Sequence, residues 1–152
     1  SVTTGAYNLR TEGVPLNIGT GDFEMRVRIN VQLASTLSGI DIGITNGLII
    51  GNNTGGADNL TFKCSGSATW NYQIGTNLIN TMVSVYGYST LVITRVNGIV
   101  NAYINDTLHD TRAFASSLVF IPSYRINGTS TAGAQDIFSL DFFKFWMPGY
   151  YK

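Results

Sequence analysis

Residues 89–108, Ser-Thr-Leu-Val-Ile-Thr-Arg-Val-Asn-Gly-Ile-Val-Asn-Ala-Tyr-Ile-Asn-Asp-Thr-Leu, constrain the fold more than any other stretch. Two β-rich runs flank Asn97-Gly98. Asn-Gly in that position marks a type I′ hairpin turn, because both central residues must take positive φ. On the first arm Leu91 and Ile93 alternate with Val92 and Thr94. On the second, Val100, Ala102 and Ile104 alternate with Asn101 and Tyr103. Asn105-Asp106 then offers another tight turn before Thr107-Leu108. The spacing predicts a meander of three antiparallel strands, with the third arm over 107–114.

The rest of the chain has the same character. Over 22–31, Phe23, Met25, Val27, Ile29 and Val31 fall on one face and Asp22, Glu24, Arg26, Arg28 and Asn30 on the other. That strict period of two predicts a strand with one buried and one wet face. On the wet face Glu24 is expected to pair with an Arg across the sheet. Ile40, Ile42 and Ile44 start a second predicted hairpin, turned at Asn46-Gly47 and returning through Leu48, Ile49 and Ile50. The run from Asn52 to Gly56 reads as a loop. Strands are predicted near 59–65, 68–74 and 79–86. Two short ones should follow, ending at Pro122 and at Asn127-Gly128. The last strand, 136–147, is apolar on both faces: Phe143, Phe145 and Met147 on one, Phe138, Leu140, Phe142 and Trp146 on the other. A half-wet antiparallel strand should not look like this, so one face is expected to be covered by the domain or by another chain. No helix longer than two turns and no internal repeat is predicted.

The expectation is therefore an all-β chain, a two-sheet antiparallel sandwich forming a single domain over 1–152. Residues 1–20 would be an N-terminal edge segment and 148–152 a C-terminal tail. At 152 residues the chain is long enough for a full core without staples. Charged residues make up 12%, and acids and bases balance at nine each. No global field attracts nucleic acid or an anionic membrane. Lys and Arg are spread singly, without the interleaved aromatics of a nucleic-acid groove. No run of 18 apolar residues offers a membrane helix. Cys64 is alone, which excludes an internal disulfide and any zinc site built on several thiolates. The opening Ser-Val-Thr-Thr-Gly does not read as a signal peptide.

Three segments together resemble the concanavalin A-like, laminin G-like jelly rolls. The run over 91–108 is similar to that superfamily's Val-x-Val-Thr-Arg arm, Gly turn and Leu-Tyr-Val-Asn-Gly arm. Leu140-Asp141-Phe142-Phe143-Lys144-Phe145-Trp146 resembles its closing strand, and 22–31 the strand that opens its core. The resemblance implies two stacked, curved sheets with the first long strand and the last one adjacent. Two departures stand out. Gly87-Tyr88-Ser89-Thr90 replaces an aromatic-His pair, and Phe142 replaces the second acid of the closing strand.

Catalysis is not expected. The superfamily includes glucanases, and glycoside hydrolysis needs two carboxyl groups about 5–10 Å apart. Asp22 and Glu24 share a face, but Arg26 and Arg28 share it too. His109, the one histidine, has no Ser, Cys and orienting acid placed beside it by sequence. No cofactor is expected; Asp106, His109 and Asp110 lie close together at the turn after Tyr103 and are the candidates for a cation, and the resemblance admits calcium at a rim, although the superfamily's scattered ligands do not map onto this chain. Carbohydrate binding has its candidates in Trp70, Tyr72, Asn101 and Tyr103, since exposed rings stack on sugars and amides hydrogen-bond hydroxyls. Phe142, Trp146, Tyr150 and Tyr151 are the candidates for contact with a partner chain.

These features suggest a non-catalytic structural or adhesion module of a larger assembly. A phage or viral virion surface protein, as capsid decoration or fibre domain, fits best, with a carbohydrate-binding, lectin-like module as the alternative. The expected partners are a virion or other assembly protein, a second copy in a homo-oligomer, and a glycan. The expected location is the virion surface or the extracellular space.

Overall fold

A computed structural model describes residues 5–12, 16–32, 37–45, 59–64, 69–75, 77–130 and 137–148. The described elements are twelve strands: β1 (Gly5–Glu12), β2 (Leu16–Gly19), β3 (Phe23–Gln32), β4 (Leu37–Thr45), β5 (Asn59–Cys64), β6 (Thr69–Ile74), β7 (Asn77–Ser84), β8 (Gly87–Val96), β9 (Ile99–Ile104), β10 (Thr107–Ala113), β11 (Leu118–Ser130) and β12 (Ile137–Trp146). Seven form one sheet in the order β1-β11-β4-β5-β6-β7, with β2 also paired to β11; five form the other in the order β10-β9-β8-β3-β12. Every pairing is antiparallel. The fold is the predicted all-β sandwich.

The meander forms as its turn residues require. Asn97 and Gly98 take φ of 51° and 75°, and Asn105 and Asp106 take 51° and 63°. Both turns therefore have positive φ at both central positions, which Asn, Asp and Gly tolerate best. Each is fastened to a neighbouring strand. Asn97 N–H donates to Asp22 Oδ1 at 2.8 Å, and Thr90 N–H donates to Asn105 Oδ1 at 2.9 Å.

The core lies between the sheets. The five-stranded sheet contributes Phe23, Met25, Val27, Ile29, Val31, Leu91, Ile93, Val100, Ala102 and Ile104. The seven-stranded sheet contributes Ile40, Ile42, Ile44, Leu60, Phe62, Trp70, Tyr72 and Ile74. Each large apolar side chain so buried stabilises the fold by about 1.5–3 kcal/mol. Gly43 permits close approach within the seven-stranded sheet. A methyl group there would overlap the Leu60 carbonyl oxygen and lie 2.7 Å from Thr61 Cα.

Three sequence expectations need correction. Both edges of β4 are occupied, by β11 and by β5, so its hairpin partner is β5 and not the run from Leu48 to Ile50. That run and the Asn46-Gly47 turn lie outside the described residues, as does the loop from Asn52 to Gly56. The two short strands expected on either side of Pro122 are one continuous strand, β11. On one flank β2 pairs residues 118–120 of β11 and β1 pairs 123–130, so Pro122 falls at the gap between them. A missing N–H is tolerated in such a place.

The third correction concerns β12. A β-bulge sits between Leu140 and Phe142. Leu140 faces Ile29, then Phe143 faces Val27 and Phe145 faces Met25, and Leu140, Phe143, Phe145 and Met147 all pack on the core. Phe142, Lys144 and Trp146 fall opposite Arg28, Arg26 and Glu24 on the other face. The inserted Asp141 changes the phase of the alternation, so two apolar half-faces join into one inward face. Glu24 pairs with Arg26 of its own strand at 3.1 Å rather than across the sheet. The predicted adjacency of the first long strand and the last is present as β3–β12.

Arg95 sits at one end of the sandwich with no exposed surface. Its Nε donates to Gly21 O at 2.9 Å, Nη1 to Ser116 O at 2.8 Å, and Nη2 to Gly19 O and Gly21 O at 2.8 and 2.7 Å. The guanidinium also lies 5.2 Å from the centre of the Phe23 ring. Burial pushes its pKa down, and the Asp22 charge opposes that shift. A compact ammonium has no such fork of donors. Arg95→Lys is therefore expected to cost about 2–4 kcal/mol in urea denaturation. Arg26→Lys, at an exposed ion pair, is expected to change stability by less than about 1 kcal/mol.

Candidate functional site

The four carbohydrate candidates do not form one site. Trp70 and Tyr72 are 0% exposed. The Trp70 ring lies inside the core, and its Nε1–H donates to Ser89 Oγ at 3.0 Å, from one sheet to the other. Tyr72 packs on Phe62 with ring centres 5.1 Å apart. Neither ring is available to stack on a sugar, which corrects the expectation. Alternation put them on a common face, but that face is the core side. Asn101 and Tyr103 are half-buried on the outer face of the five-stranded sheet. Asn101 Oδ1 accepts a hydrogen bond from the Thr111 hydroxyl at 2.8 Å. Tyr103 lies between Val92 and Leu108 in the ladder.

The polar concentration lies instead on the face of the seven-stranded sheet turned away from the core. In β5, Leu60, Phe62 and Cys64 face inward, and Thr61 and Lys63 fall on the other side; in β6, Trp70, Tyr72 and Ile74 face inward, and Asn71 and Gln73 fall on the other side. Thr61, Lys63 and Gln73 are only 0%, 8% and 6% exposed. Three polar side chains off the core are thus shielded almost as well as the core itself. Burying such groups costs free energy unless they are hydrogen-bonded. Gln73 Nε2 donates to Gly75 O at 2.6 Å. Thr61 Oγ1 has no partner among the described residues. The register continues these positions across the sheet: Lys63 stands opposite Asn71 and Asn71 opposite Asn80, and Gly43, Thr61 and Gln73 form the next row. Lys63, Asn71 and Asn80 thus put an ammonium and two amides in a line, and such a line suits a ligand rich in oxygen. No exposed ring marks this line in the sequence. The available signal was the alternation in Asn-Leu-Thr-Phe-Lys-Cys and Thr-Trp-Asn-Tyr-Gln-Ile, which carries a polar face as clearly as an apolar one.

The candidate partner-contact residues divide. Trp146 is 52% exposed, and Phe142 is half-buried with Lys144 Nζ 4.8 Å from its ring centre. Tyr150 and Tyr151 lie outside the described residues. Around the expected calcium ligands, a β-bulge at His109 interrupts β10, and Asp110 pairs with Arg112 at 2.9 Å. No three His, Cys, Asp or Glu side chains among the described residues gather to hold a metal ion, so Asp106, His109 and Asp110 do not converge. The Asp22 carboxylate is engaged with Asn97 and that of Glu24 with Arg26.

No protein family matches the chain, and no curated protein is similar to it in sequence. Solved structures do resemble it. An alginate lyase from Pseudomonas aeruginosa is 9% identical with a TM-score of 0.59, over 88% of this chain and 68% of that one. The CBM2 module of the evolved Dit of Lactobacillus casei BL23 phage J-1 is 13% identical with a TM-score of 0.58, over 92% of this chain and 69% of that one. A sialidase gives a TM-score of 0.58 at 7% identity; 95% of this chain is covered, but it spans only 14% of the sialidase. The chain likewise spans 61% of an alginate lyase from Corynebacterium sp.. The fold is the concanavalin A-like jelly roll.

Tyr72 carries a pH dependence. Its hydroxyl is buried without a partner among the described residues. Burial, and secondarily the Asp110 charge, raise its pKa well above the ordinary phenol value, with Arg112 acting in the opposite sense. The folded state therefore holds this proton more tightly than the unfolded chain. The stability so contributed is complete below about pH 10 and is lost as the pH rises beyond it. Denaturant midpoints should fall above that pH, and Tyr72→Phe should flatten part of the fall.

Proposed function

We propose that this chain is a non-catalytic carbohydrate-binding module, built for adhesion and binding its glycan on the polar face of the seven-stranded sheet. One observation carries the proposal: on the side of the seven-stranded sheet turned away from the core, the ladder sets Lys63 beside half-buried Asn71 and exposed Asn80 in one polar line. A sugar hydroxyl can accept from an amide N–H on this line and donate to a neighbouring amide oxygen. The absence of a reaction is part of the same proposal. Acids that might have worked as a pair are committed elsewhere, Asp22 to a backbone N–H and Glu24 and Asp141 to arginines. The structural neighbours are compatible with a glycan ligand, two being alginate lyases and one a module of a phage Dit protein.

The phage module also favours a second reading, in which the same domain is a decoration or fibre unit on a virion surface or otherwise outside the cell. Half-exposed Trp146 and exposed Leu78 and Met82 would then contact an assembly protein or a second copy of this chain. The two readings are compatible, since a virion module can grip a host polysaccharide.

A glycan array followed by calorimetry tests the first reading. Micromolar to millimolar affinity is expected, about 8 to 4 kcal/mol of binding free energy. Asn71→Ala and Asn80→Ala should each weaken it about tenfold with little change in the melting temperature. An array with no ligand refutes the reading, and degradation of any bound polysaccharide refutes its non-catalytic part. Mass photometry tests the second: an oligomer that dissociates on Trp146→Ser supports it, and a monomer at all concentrations counts against self-assembly.

A further inference from the structure

The outer face of the five-stranded sheet holds a group that neither reading uses. Asn30 lies on this face, yet it is only 6% exposed, and its Oδ1 has no hydrogen-bond partner among the described residues. Buried side-chain oxygens without a partner are uncommon, because each forgoes its hydrogen bond with water and gains none in return. Its ladder neighbours are Tyr88 on β8 and Ser139 on β12. Tyr88 is 57% exposed. Two positions back along β3, the Arg28 guanidinium lies 4.9 Å from the centre of the Tyr88 ring and its Nε 3.4 Å from Asp141 Oδ2. Asp141 is the residue inserted by the bulge in β12, and bulges re-aim side chains in this way.

The chemistry of the group is specific. Arg28 and Asp141 cancel in charge, so an ion of either sign gains little by binding there. A hydroxyl gains more: it can accept from the guanidinium and donate to the carboxylate or to Asn30 Oδ1. An exposed aromatic ring beside these groups provides a surface for the C–H face of a pyranose. We propose that Tyr88, Asn30, Arg28 and Asp141 form a second binding site, for a neutral sugar, on the opposite face of the sandwich from the polar rows of the seven-stranded sheet. The site stands on its own residues and does not depend on the glycan reading of the other sheet. With both faces occupied, one domain bridges two sugar chains, and a multimer of it gains avidity from each face.

The test is a residue-resolved NMR titration of the intact protein with the methyl glycosides of glucose, galactose and mannose, and with galacturonate as the acidic comparison. At least one neutral glycoside should shift the Asn30 side-chain amide and the Tyr88 and Arg28 signals. Tyr88→Ala, at an exposed position, should weaken that response about tenfold, and Lys63→Gln should leave it unchanged. Asn30→Leu should abolish it, even if replacing an unpartnered amide raises the melting temperature. Shifts confined to Lys63, Asn71 and Asn80 would overturn this second site while leaving the first intact. Preference for galacturonate that salt removes would overturn the neutral-sugar assignment. Silence from every glycoside at Tyr88 and Asn30 would overturn the site whatever the glycan array shows.

Discussion

A guanidinium buried at the end of a β-sandwich has to be met by oxygen. The oxygens that meet Arg95 come from two of the places where the chain crosses between sheets. Gly19 and Gly21 flank the passage from β2 in the seven-stranded sheet to β3 in the five-stranded one. Ser116 lies in the passage from β10 back to β11. A single side chain thus fixes how two crossovers sit against the end of β8. The desolvation cost of such a cation is several kcal/mol and is offset only if the surrounding acceptors are well placed. Four contacts of 2.7–2.9 Å and the Phe23 ring below meet that condition. The Thr-Arg of the family-like arm over 91–95 therefore has a structural meaning: it staples the layers and does not face a ligand.

With the layers fixed, each sheet has one face to spend on the core and one to spend elsewhere. The core takes the large rings, including Trp70, Tyr72, Phe62 and Phe23. Ser89 satisfies the indole N–H from the opposite sheet, which lets a polar-tipped ring lie wholly inside. What remains outside is amide, hydroxyl and paired charge, with exposed Leu78, Met82, Tyr88 and Trp146 among them. Only 12% of the residues are charged, and several of those charges are committed to partners within the domain. The outer faces are consequently rich in groups that bind oxygen-bearing ligands without strong long-range attraction. The proposed adhesion to a neutral or weakly charged polymer would draw on those groups.

The fold was legible because its signals are local. Asn97-Gly98 and Asn105-Asp106 specify turns through backbone sterics alone, and the alternation in 22–31 specifies which residues share a face. The same alternation is blind to two things. It cannot say which of two faces meets the other sheet, so Trp70 and Tyr72 read as free rings when they are core. It also assumes an unbroken period, so the bulge at Asp141 made β12 look apolar on both sides. Pro122 misled in a related way. A proline reads as the end of a strand, but Pro122 lies where β2 gives way to β1 on one flank and stays opposite Ile44 of β4 on the other, so the strand runs through it. The polar rows across β5 and β6 depend on register between strands distant in sequence, which no single segment encodes. Thr61 and Lys63 looked ordinary until the ladder set them beside Gln73 and Asn71.

The same ladders indicate how this domain meets other molecules. Both outer strands of the five-stranded sheet are bulged, β10 at His109 and β12 at Asp141. At the outer strand β7 of the other sheet, the register shifts opposite Thr69 and Asn71, and Met82 takes a φ of 60°. Bulged edges resist the addition of another strand, because the unpaired N–H and C=O groups no longer form an even row. Among the described strands, β1 alone offers an outer edge paired without interruption to its neighbour. A domain with its edges blunted in this way is left to interact through its faces. On both faces the features that could do so are side-chain groups that a straight, fully apolar sandwich would have no reason to keep: Lys63 in line with Asn71 and Asn80 on one, buried Asn30 beside an exposed Tyr88 on the other. The bulge that protects the β12 edge also sets Asp141 beside Arg28, so the device that prevents strand pairing builds part of the surface that replaces it.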